Sequence, residues 1–270
     1  MSIDIRRKNI LDSAKKIVIK IGTKVLTTED GKLDENKVEK LVKDISLLKK
    51  RKKEIVIVTS GAIGAGMGKL CVLERPKDIP QKQALAAIGQ SKLMHVYEKY
   101  FQEEGICVGQ MLLTQDDLSD LKRFQNAGNT LHNLINYNAI PIINENDTIA
   151  VEEIKLGDND NLSAQVVNLV KADLLLILTN TDGLFTADPR KDKNAKLISI
   201  VEKIDEKIEK LAGENIDEIS VGGMQTKIQA AKEAVKSGAG VIIANGNKNE
   251  IISHIFSYDE EGTFFLPKII

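Results

Sequence analysis

The sequence predicts an α/β fold, a three-layer αβα sandwich around a mostly parallel central sheet. Two observations predict it. Short β-branched runs alternate with helix-period stretches almost from end to end, the order that βαβ crossovers require. Several runs are apolar on both faces, as strands are when helices cover both sides of a parallel sheet. At 270 residues with 42% hydrophobic side chains, the chain can build one large domain or two small ones with a sizeable core. It shows no Pro/Ser-rich linker, internal repeat or composition shift, so the expectation is one domain of two lobes sharing a sheet.

Taken in order, the first strand spans 17–21. A helix follows over 35–50, where Val38, Leu41, Val42, Ile45 and Leu48 form one stripe. The second strand, 55–59, runs into the glycine-rich stretch 60–68, which opens a helix. A long helix spans 81–101, with Pro80 just before it as a start signal. A strand over 106–113, a helix over 119–136 and a strand over 140–144 come next. Around Ile154 the chain makes a short antiparallel excursion, turned by Gly157 and the Asp/Asn cluster beside it. A helix over 161–171, a strand over 174–179, a helix over 224–237 and a strand over 241–244 complete the alternation.

Composition excludes several functions. With 38 basic and 39 acidic residues, the formal charge is −1, without the basic excess that nucleic-acid binding needs. Arg6, Arg7, Arg51, Arg75, Arg123 and Arg190 are scattered, so a phosphate site must rest on lysines and backbone N–H groups. Cys71 and Cys107 have no metal spacing and sit among apolar neighbours; they read as small buried thiols in a reducing compartment. Apolar runs reach about five residues, far short of the ~20 that span a bilayer. Asp4, Arg6, Arg7, Lys8 and Asp12 break up any signal-peptide core. A soluble cytoplasmic protein is expected, with no membrane partner.

Ligands of open α/β sheets bind beyond the carboxyl ends of the strands, and polar and glycine residues gather at those ends here. Residues 60–68 contain Gly61, Gly64, Gly66 and Gly68, whose N–H groups could hold an anion. Two phosphate motifs fail there: Lys69 stands where GxGxxG needs glycine, and Ile63 and Leu70 break the Walker A pattern. Tight helix–sheet packing would use the same glycines. Lys20 is the one charge inside the first strand's run and needs an anionic partner or a route to solvent. Asn144, Glu145, Asn146 and Asp147 follow an apolar strand, where turn chemistry would also place Asn and Asp. Asp158, Asn159, Asp160 and Asn161 exceed what capping one helix requires, and no glutamate completes a calcium loop. Gly222 and Gly223 lead into a helix carrying Lys227 one turn in, which suits phosphate, or a hinge with a surface lysine. His95, His132 and His254 lack acidic partners at useful spacing and read as surface or partly buried residues. Two lysines, glycine turns and an Asp/Asn cluster point to phosphoryl transfer without a P-loop.

The runs Ile17-Val18-Ile19-Lys20-Ile21-Gly22-Thr23, Ile57-Val58-Thr59-Ser60-Gly61-Ala62-Ile63 and Gly109-Gln110-Met111-Leu112-Leu113-Thr114 carry a resemblance. So do Ile143-Asn144-Glu145-Asn146-Asp147, Lys155-Leu156-Gly157-Asp158-Asn159-Asp160-Asn161-Leu162-Ser163-Ala164, Gly183-Leu184-Phe185-Thr186-Ala187-Asp188-Pro189-Arg190 and Gly222-Gly223-Met224-Gln225-Thr226-Lys227. In this order, from about Lys16 to the C-terminus, the chain resembles the glutamate 5-kinases of the amino-acid kinase family. The resemblance implies the amino-acid kinase fold and transfer of the ATP γ-phosphate to the side-chain carboxylate of L-glutamate, the first step of proline synthesis. By that resemblance Lys20 and Lys227 neutralise the phosphates, Asp160 holds both lysines, and the Gly22 and Gly61 regions supply N–H donors. Ser60, Asp147 and Asn159 bind glutamate. Lys20, Gly22, Thr179, Asn180, Val221, Gly222, Gly223, Met224, Gln225, Thr226 and Lys227 bind ATP. Mg2+ rides on the nucleotide phosphates without a protein cage.

Two positions depart from the family pattern: Asn180 where many members carry Asp, and Val221 where many carry Thr. The resemblance further implies an acceptor lobe over about 1–170, a nucleotide lobe over about 171–270, and no C-terminal PUA domain within 1–270. Feedback inhibition by proline and a homo-oligomer are family expectations. A carboxylate acceptor is already ionised at pH 7, so the lack of a catalytic His is consistent with this chemistry. Another amino-acid kinase acting on a different acceptor, and a silent glutamate or proline sensor, are the competing readings; the intact Lys20, Asp160 and Lys227 disfavour the sensor.

Overall fold

The computed structural model describes residues 4–150, 159–214 and 223–268. The expected excursion around Ile154 lies outside them, as do Lys155, Asp158, Val221 and Gly222. The first half holds α1 (Ile5–Ser13), β1 (Lys16–Ile21), α2 (Thr23–Leu26), α3 (Glu35–Lys50), β2 (Glu54–Val58), α4 (Ala62–Lys69), α5 (Ile79–Glu103) and β3 (Val108–Leu113). Then come α6 (Gln115–Ser119), α7 (Leu121–Asn136), β4 (Ile140–Glu145), α8 (Asp160–Val170), β5 (Leu174–Thr179) and β6 (Ile200–Val201). The rest is α9 (Glu206–Glu214), α10 (Met224–Lys236), β7 (Gly240–Asn245), α11 (Ile251–Phe256) and β8 (Thr263–Phe265).

The strands form one sheet in the order β3-β4-β2-β1-β5-β7-β8-β6. Neighbours from β3 to β7 are parallel, β8 runs antiparallel to β7, and β6 is parallel to β8. The expected α/β architecture with a mostly parallel sheet is therefore present. From β1 the chain builds outward through β2 and later returns to place β5 on the other side of β1. That reversal makes the crevice beyond the β1 and β5 carboxyl ends a topological switch point, where such sheets bind ligands.

Period-two alternation along β1 divides the core. Ile17, Ile19 and Ile21 pack with Val38, Leu41 and Ile45 of α3 and Leu93 and Val96 of α5 on one face. Val18, Val56 and Val58 pack with Val166 and Val167 of α8 and Ala230, Ala231 and Ala234 of α10 on the other. Lys20 lies two residues past Val18 and so shares the α8/α10 face. The sequence pattern thereby decides which helices the lysine meets.

Helix boundaries follow from capping. Asp34 accepts from the Asn36 and Lys37 amides, and α3 has the expected bounds. Helix α5 starts two residues before the expected 81, because Asp78 accepts from the Gln81 amide and Pro80 tolerates the donor-free first turn. The helix expected over 119–136 is α7, which starts at Leu121 because Asp120 caps it; a Thr114–Asp117 capping box opens the separate short α6 before it, which Asp120 ends. Helices α4 and α5 approach closely at glycines. A Cβ on Gly66 would stand 2.1 Å from the Leu85 carbonyl oxygen, and one on Gly89 1.8 Å from that of Ala62.

Both cysteines are exposed, contrary to the expectation of buried thiols. Cys71 lies in a left-handed turn (φ +55°) just past α4, and Cys107 in the connection entering edge strand β3. An apolar sequence neighbourhood there belongs to flanking elements and does not bury the turn itself.

Candidate active site

Three elements converge at the switch point. Lys20 is the next-to-last residue of β1, α8 begins with Asp160, and the first turn of α10 carries Thr226 and Lys227. Lys20 Nζ donates to Asp160 Oδ1. Lys227 Nζ donates to Asp160 Oδ2 at 3.0 Å, and Thr226 Oγ1 donates to the same oxygen at 2.9 Å. Lys20, Asp160 and Lys227 are 2%, 0% and 6% exposed, so this is a buried ionic cluster. Buried charges are tolerated when paired and hydrogen-bonded. Asp160 gains further from the positive end of the α8 dipole. Among the described residues, two ammonium groups meet one carboxylate at the carboxyl edge of the sheet. The single strand lysine noted in the sequence thus has its anionic partner.

Beside this cluster, on the β2–β4 side, lies a neutral one. Asn159, immediately before Asp160, donates through Nδ2 to the Thr59 carbonyl, to Asn144 Oδ1 at 2.8 Å and to Ser60 Oγ at 3.5 Å. Ser60 and Asn159, both expected at the acceptor site, are therefore brought together and are nearly buried. Asn144 is the last-but-one residue of β4 rather than a turn residue, and its Nδ2 donates to Gln90 Oε1 at 2.8 Å. The Thr59 hydroxyl and Tyr97 phenol are 2.9 Å apart, and burial pushes the phenol's pKa well up. Asp147 stands half-buried two residues beyond β4 at the same edge of the sheet.

On the β5–β7 side a cavity of about 410 Å³ is lined by Thr179, Asn180, Gly223, Met224 and Lys227, all expected nucleotide residues. Phe185, Asp188, Arg190 and Asn245 also line it. The sequence stretch holding Phe185, Asp188 and Arg190 supported the resemblance, but nothing in its spacing marked these three as lining residues. Arg190 donates to Asp188 from its backbone N, from Nε at 2.9 Å and from Nη2 at 2.8 Å. That hydrogen bonding lowers the Asp188 carboxyl to about 2. Thr179 is buried at the end of β5, while Asn180 and Gln225 are exposed.

The remaining expected residues stand as follows. The Gly22 amide donates to the Leu178 carbonyl at 2.9 Å, so this N–H belongs to the sheet and is not available to a phosphate. Gly22 instead keeps the crossing open, since a Cβ would lie 3.1 Å from that same oxygen. Gly61 caps α4 at φ +96°, which favours glycine, and places the unpaired first-turn amides of α4 at the β2 carboxyl edge. Gly64 and Gly66 serve packing against Gly31 and Leu85. Val221 and Gly222 lie outside the described residues. All three histidines are exposed, but His254 does have an acidic partner: Nδ1 lies 2.6 Å from Asp259, five residues on and reached because α11 has ended by then. Among the described residues no group of three or more His, Cys, Asp or Glu side chains could hold a metal. Among them, too, no helix is long and apolar enough to cross a membrane.

Residues 15–245 match the sequence profile of the amino acid kinase family. A glutamate 5-kinase of Caldanaerobacter subterraneus subsp. tengcongensis is 53% identical over 252 residues, covering 93% of this chain and 68% of that protein. One from Clostridium acetobutylicum is 48% identical over 262 residues, covering 97% and 98%. Among solved structures, the UMP kinase of Ureaplasma parvum superposes with a TM-score of 0.66 at 17% identity, covering 94% of this chain and 99% of that one. The carbamate kinase of Giardia lamblia bound to AMP-PNP gives 0.65 at 14%, covering 94% and 99%. At such identities the structural likeness concerns the fold alone.

Proposed function

This chain belongs to the amino acid kinase family, in its glutamate 5-kinase branch, and we propose from that premise how its site works. It transfers the γ-phosphoryl group of ATP to the side-chain carboxylate of L-glutamate. The observation that carries the mechanism is the pair of buried lysines held by one aspartate at the switch point.

ATP enters the β5–β7 cavity with its triphosphate toward Lys227 and the start of α10, an anion site by its ammonium and helix N-terminus. Thr179, Asn180, Gly223, Met224 and Gln225 surround the nucleotide. Glutamate lies on the β2–β4 side against Ser60, Asn159 and Asp147, whose carboxylate pairs with the substrate ammonium. This division makes about 1–170 the acceptor lobe and about 171–270 the nucleotide lobe.

A γ-carboxylate oxygen attacks the γ-phosphorus, the new O–P bond forms, and the β,γ-bridging bond breaks. The departing electron pair goes to the ADP β-phosphate. The nucleophile carries no proton at neutral pH, so no general base is required. Catalysis therefore rests on positioning and on screening the equatorial and leaving oxygens, which Lys20 and Lys227 do from fixed positions. Asp160 is the organiser: each of its oxygens holds one ammonium. Mg2+ carried by the nucleotide would add positive charge at the transferring phosphoryl group.

Cytoplasmic placement, homo-oligomer formation and proline feedback belong to the same proposal and rest on the family. The test is ADP release by the purified chain with ATP, Mg2+ and one acceptor at a time: L-glutamate, L-aspartate, N-acetyl-L-glutamate, UMP or carbamate. Glutamate alone should support turnover. Turnover with another acceptor and none with glutamate would overturn the substrate assignment.

A further inference from the structure

Resting on that reading of the acceptor site, we propose that Gln90 is a positioning residue, holding Asn144 so that the Asn144 oxygen anchors the Asn159 amide beside the acceptor. Nothing in its sequence context marks it; Gln90 lies mid-helix in α5. Its own position is enforced, because the neighbouring Gly89 sits against the Ala62 carbonyl with no room for a side chain.

The orientation of the amides follows from one unambiguous acceptor. A carbonyl oxygen cannot donate, so the Asn159 atom facing the Thr59 carbonyl is the Nδ2 donor. Nδ2 also faces Asn144, so the Asn144 atom there is its oxygen, at 2.8 Å. Asn144 Nδ2 then points to the other side and requires an acceptor, which is Gln90 Oε1, also at 2.8 Å. Each amide therefore sets the next, from a main-chain oxygen on β2 across β4 to α5. The chain ends on Gln90 Nε2, which is buried and has no hydrogen-bond partner among the described residues. A buried donor without a partner is destabilising. The Gln90 oxygen is the acceptor that holds the Asn144 amide against flipping. A flip would present Asn144 Nδ2 to Asn159 Nδ2, donor against donor, and would release the Asn159 side chain from its set orientation beside Ser60.

The perturbation should reach glutamate and leave ATP alone, since the relay lies on the β2–β4 side and the nucleotide cavity on the β5–β7 side. Steady-state kinetics on the purified full chain test this with Gln90→Leu and Gln90→Glu, alongside thermal unfolding. Leu removes the acceptor; Glu keeps an oxygen toward Asn144. The expected result is a glutamate KM raised about tenfold in Gln90→Leu, an ATP KM within twofold of wild type, and recovery to within about threefold in Gln90→Glu. Equal increases in both KM values, an unchanged glutamate KM whatever the Tm, or a Gln90→Glu variant as impaired as Gln90→Leu would each overturn the inference. Wild-type protein without glutamate-dependent turnover would instead overturn the substrate reading, so the two failures are distinguishable.

Discussion

Replacing Asp160 by Asn removes one charge while keeping the side-chain shape, and its consequences can be worked out from the site. In the wild type Oδ1 takes Lys20, and Oδ2 takes Lys227 at 3.0 Å and Thr226 at 2.9 Å. The amide offers one oxygen and must turn an NH₂ toward one of two ammonium groups. Those cations are 2% and 6% exposed, so water cannot replace the lost carboxylate. Removing one partner of a buried ion pair costs about 3–5 kcal/mol. At about 2–4 °C per kcal/mol for a chain of this size, Tm falls by roughly 10 °C. ATP then supplies the missing anion, so MgATP raises the Tm of the variant by more than it raises that of the wild type. Differential scanning fluorimetry with and without MgATP measures both quantities. A variant as stable as wild type, or one that MgATP stabilises no more than wild type, would refute the assignment of Asp160 as the neutralising organiser.

Lys227→Ala removes a cation from the transition state and not from glutamate binding; kcat should fall about 10²–10³-fold with glutamate KM little changed, and an unchanged kcat excludes the role. Gly89→Ala gains about 1 kcal/mol in helix propensity but forces a Cβ to 1.8 Å from a backbone oxygen, so urea titration should show a net loss of about 2 kcal/mol or more. Gly68→Ala is the opposite case: its Cβ meets only the Lys32 side chain at 3.6 Å, so the same titration should show about 0.5–1 kcal/mol of stabilisation. The hydrogen bond to Asp259 raises the His254 pKa. Its contribution to stability is therefore present below the unfolded-state value of about 6.5 and is lost as pH rises through the folded value. An NMR titration midpoint at or below the unfolded value, or one that Asp259→Asn leaves in place, counts against this pairing.

Much of the fold was legible because its elements are long and strongly patterned. The apolar runs of β1, β2, β4 and β5 and the α3 stripe show their burial in the sequence, and helix α3 appears with the expected bounds. Elements β6, β8, α2 and α11 are two to six residues long, too short for periodicity to separate from loop. Helix α1 is dense in charge around two buried positions, Arg7 and Leu11. At the site, Lys20 was legible because a charge inside an apolar strand demands a partner, and the Asp/Asn cluster contained that partner. Gln90 and Arg190 were not: each takes its role from a residue that only the folded chain brings near or orients, Asn144 fifty-four positions away and Asp188 within the nucleotide cavity. That the Gly22 amide itself is engaged was not legible for the same kind of reason, since the sheet register assigns it to Leu178.

The central claim is that a glutamate carboxylate takes the phosphoryl group and leaves the site as an acyl phosphate. Trapping with hydroxylamine tests this directly, because an acyl phosphate reacts to give a hydroxamate that an alkyl phosphate or a hydrolytic ATPase does not yield. The account predicts γ-glutamyl hydroxamate in proportion to ADP, dependent on both MgATP and L-glutamate and lost in Lys227→Ala. ADP release without hydroxamate, or hydroxamate formed from aspartate or N-acetylglutamate and not from glutamate, would contradict it.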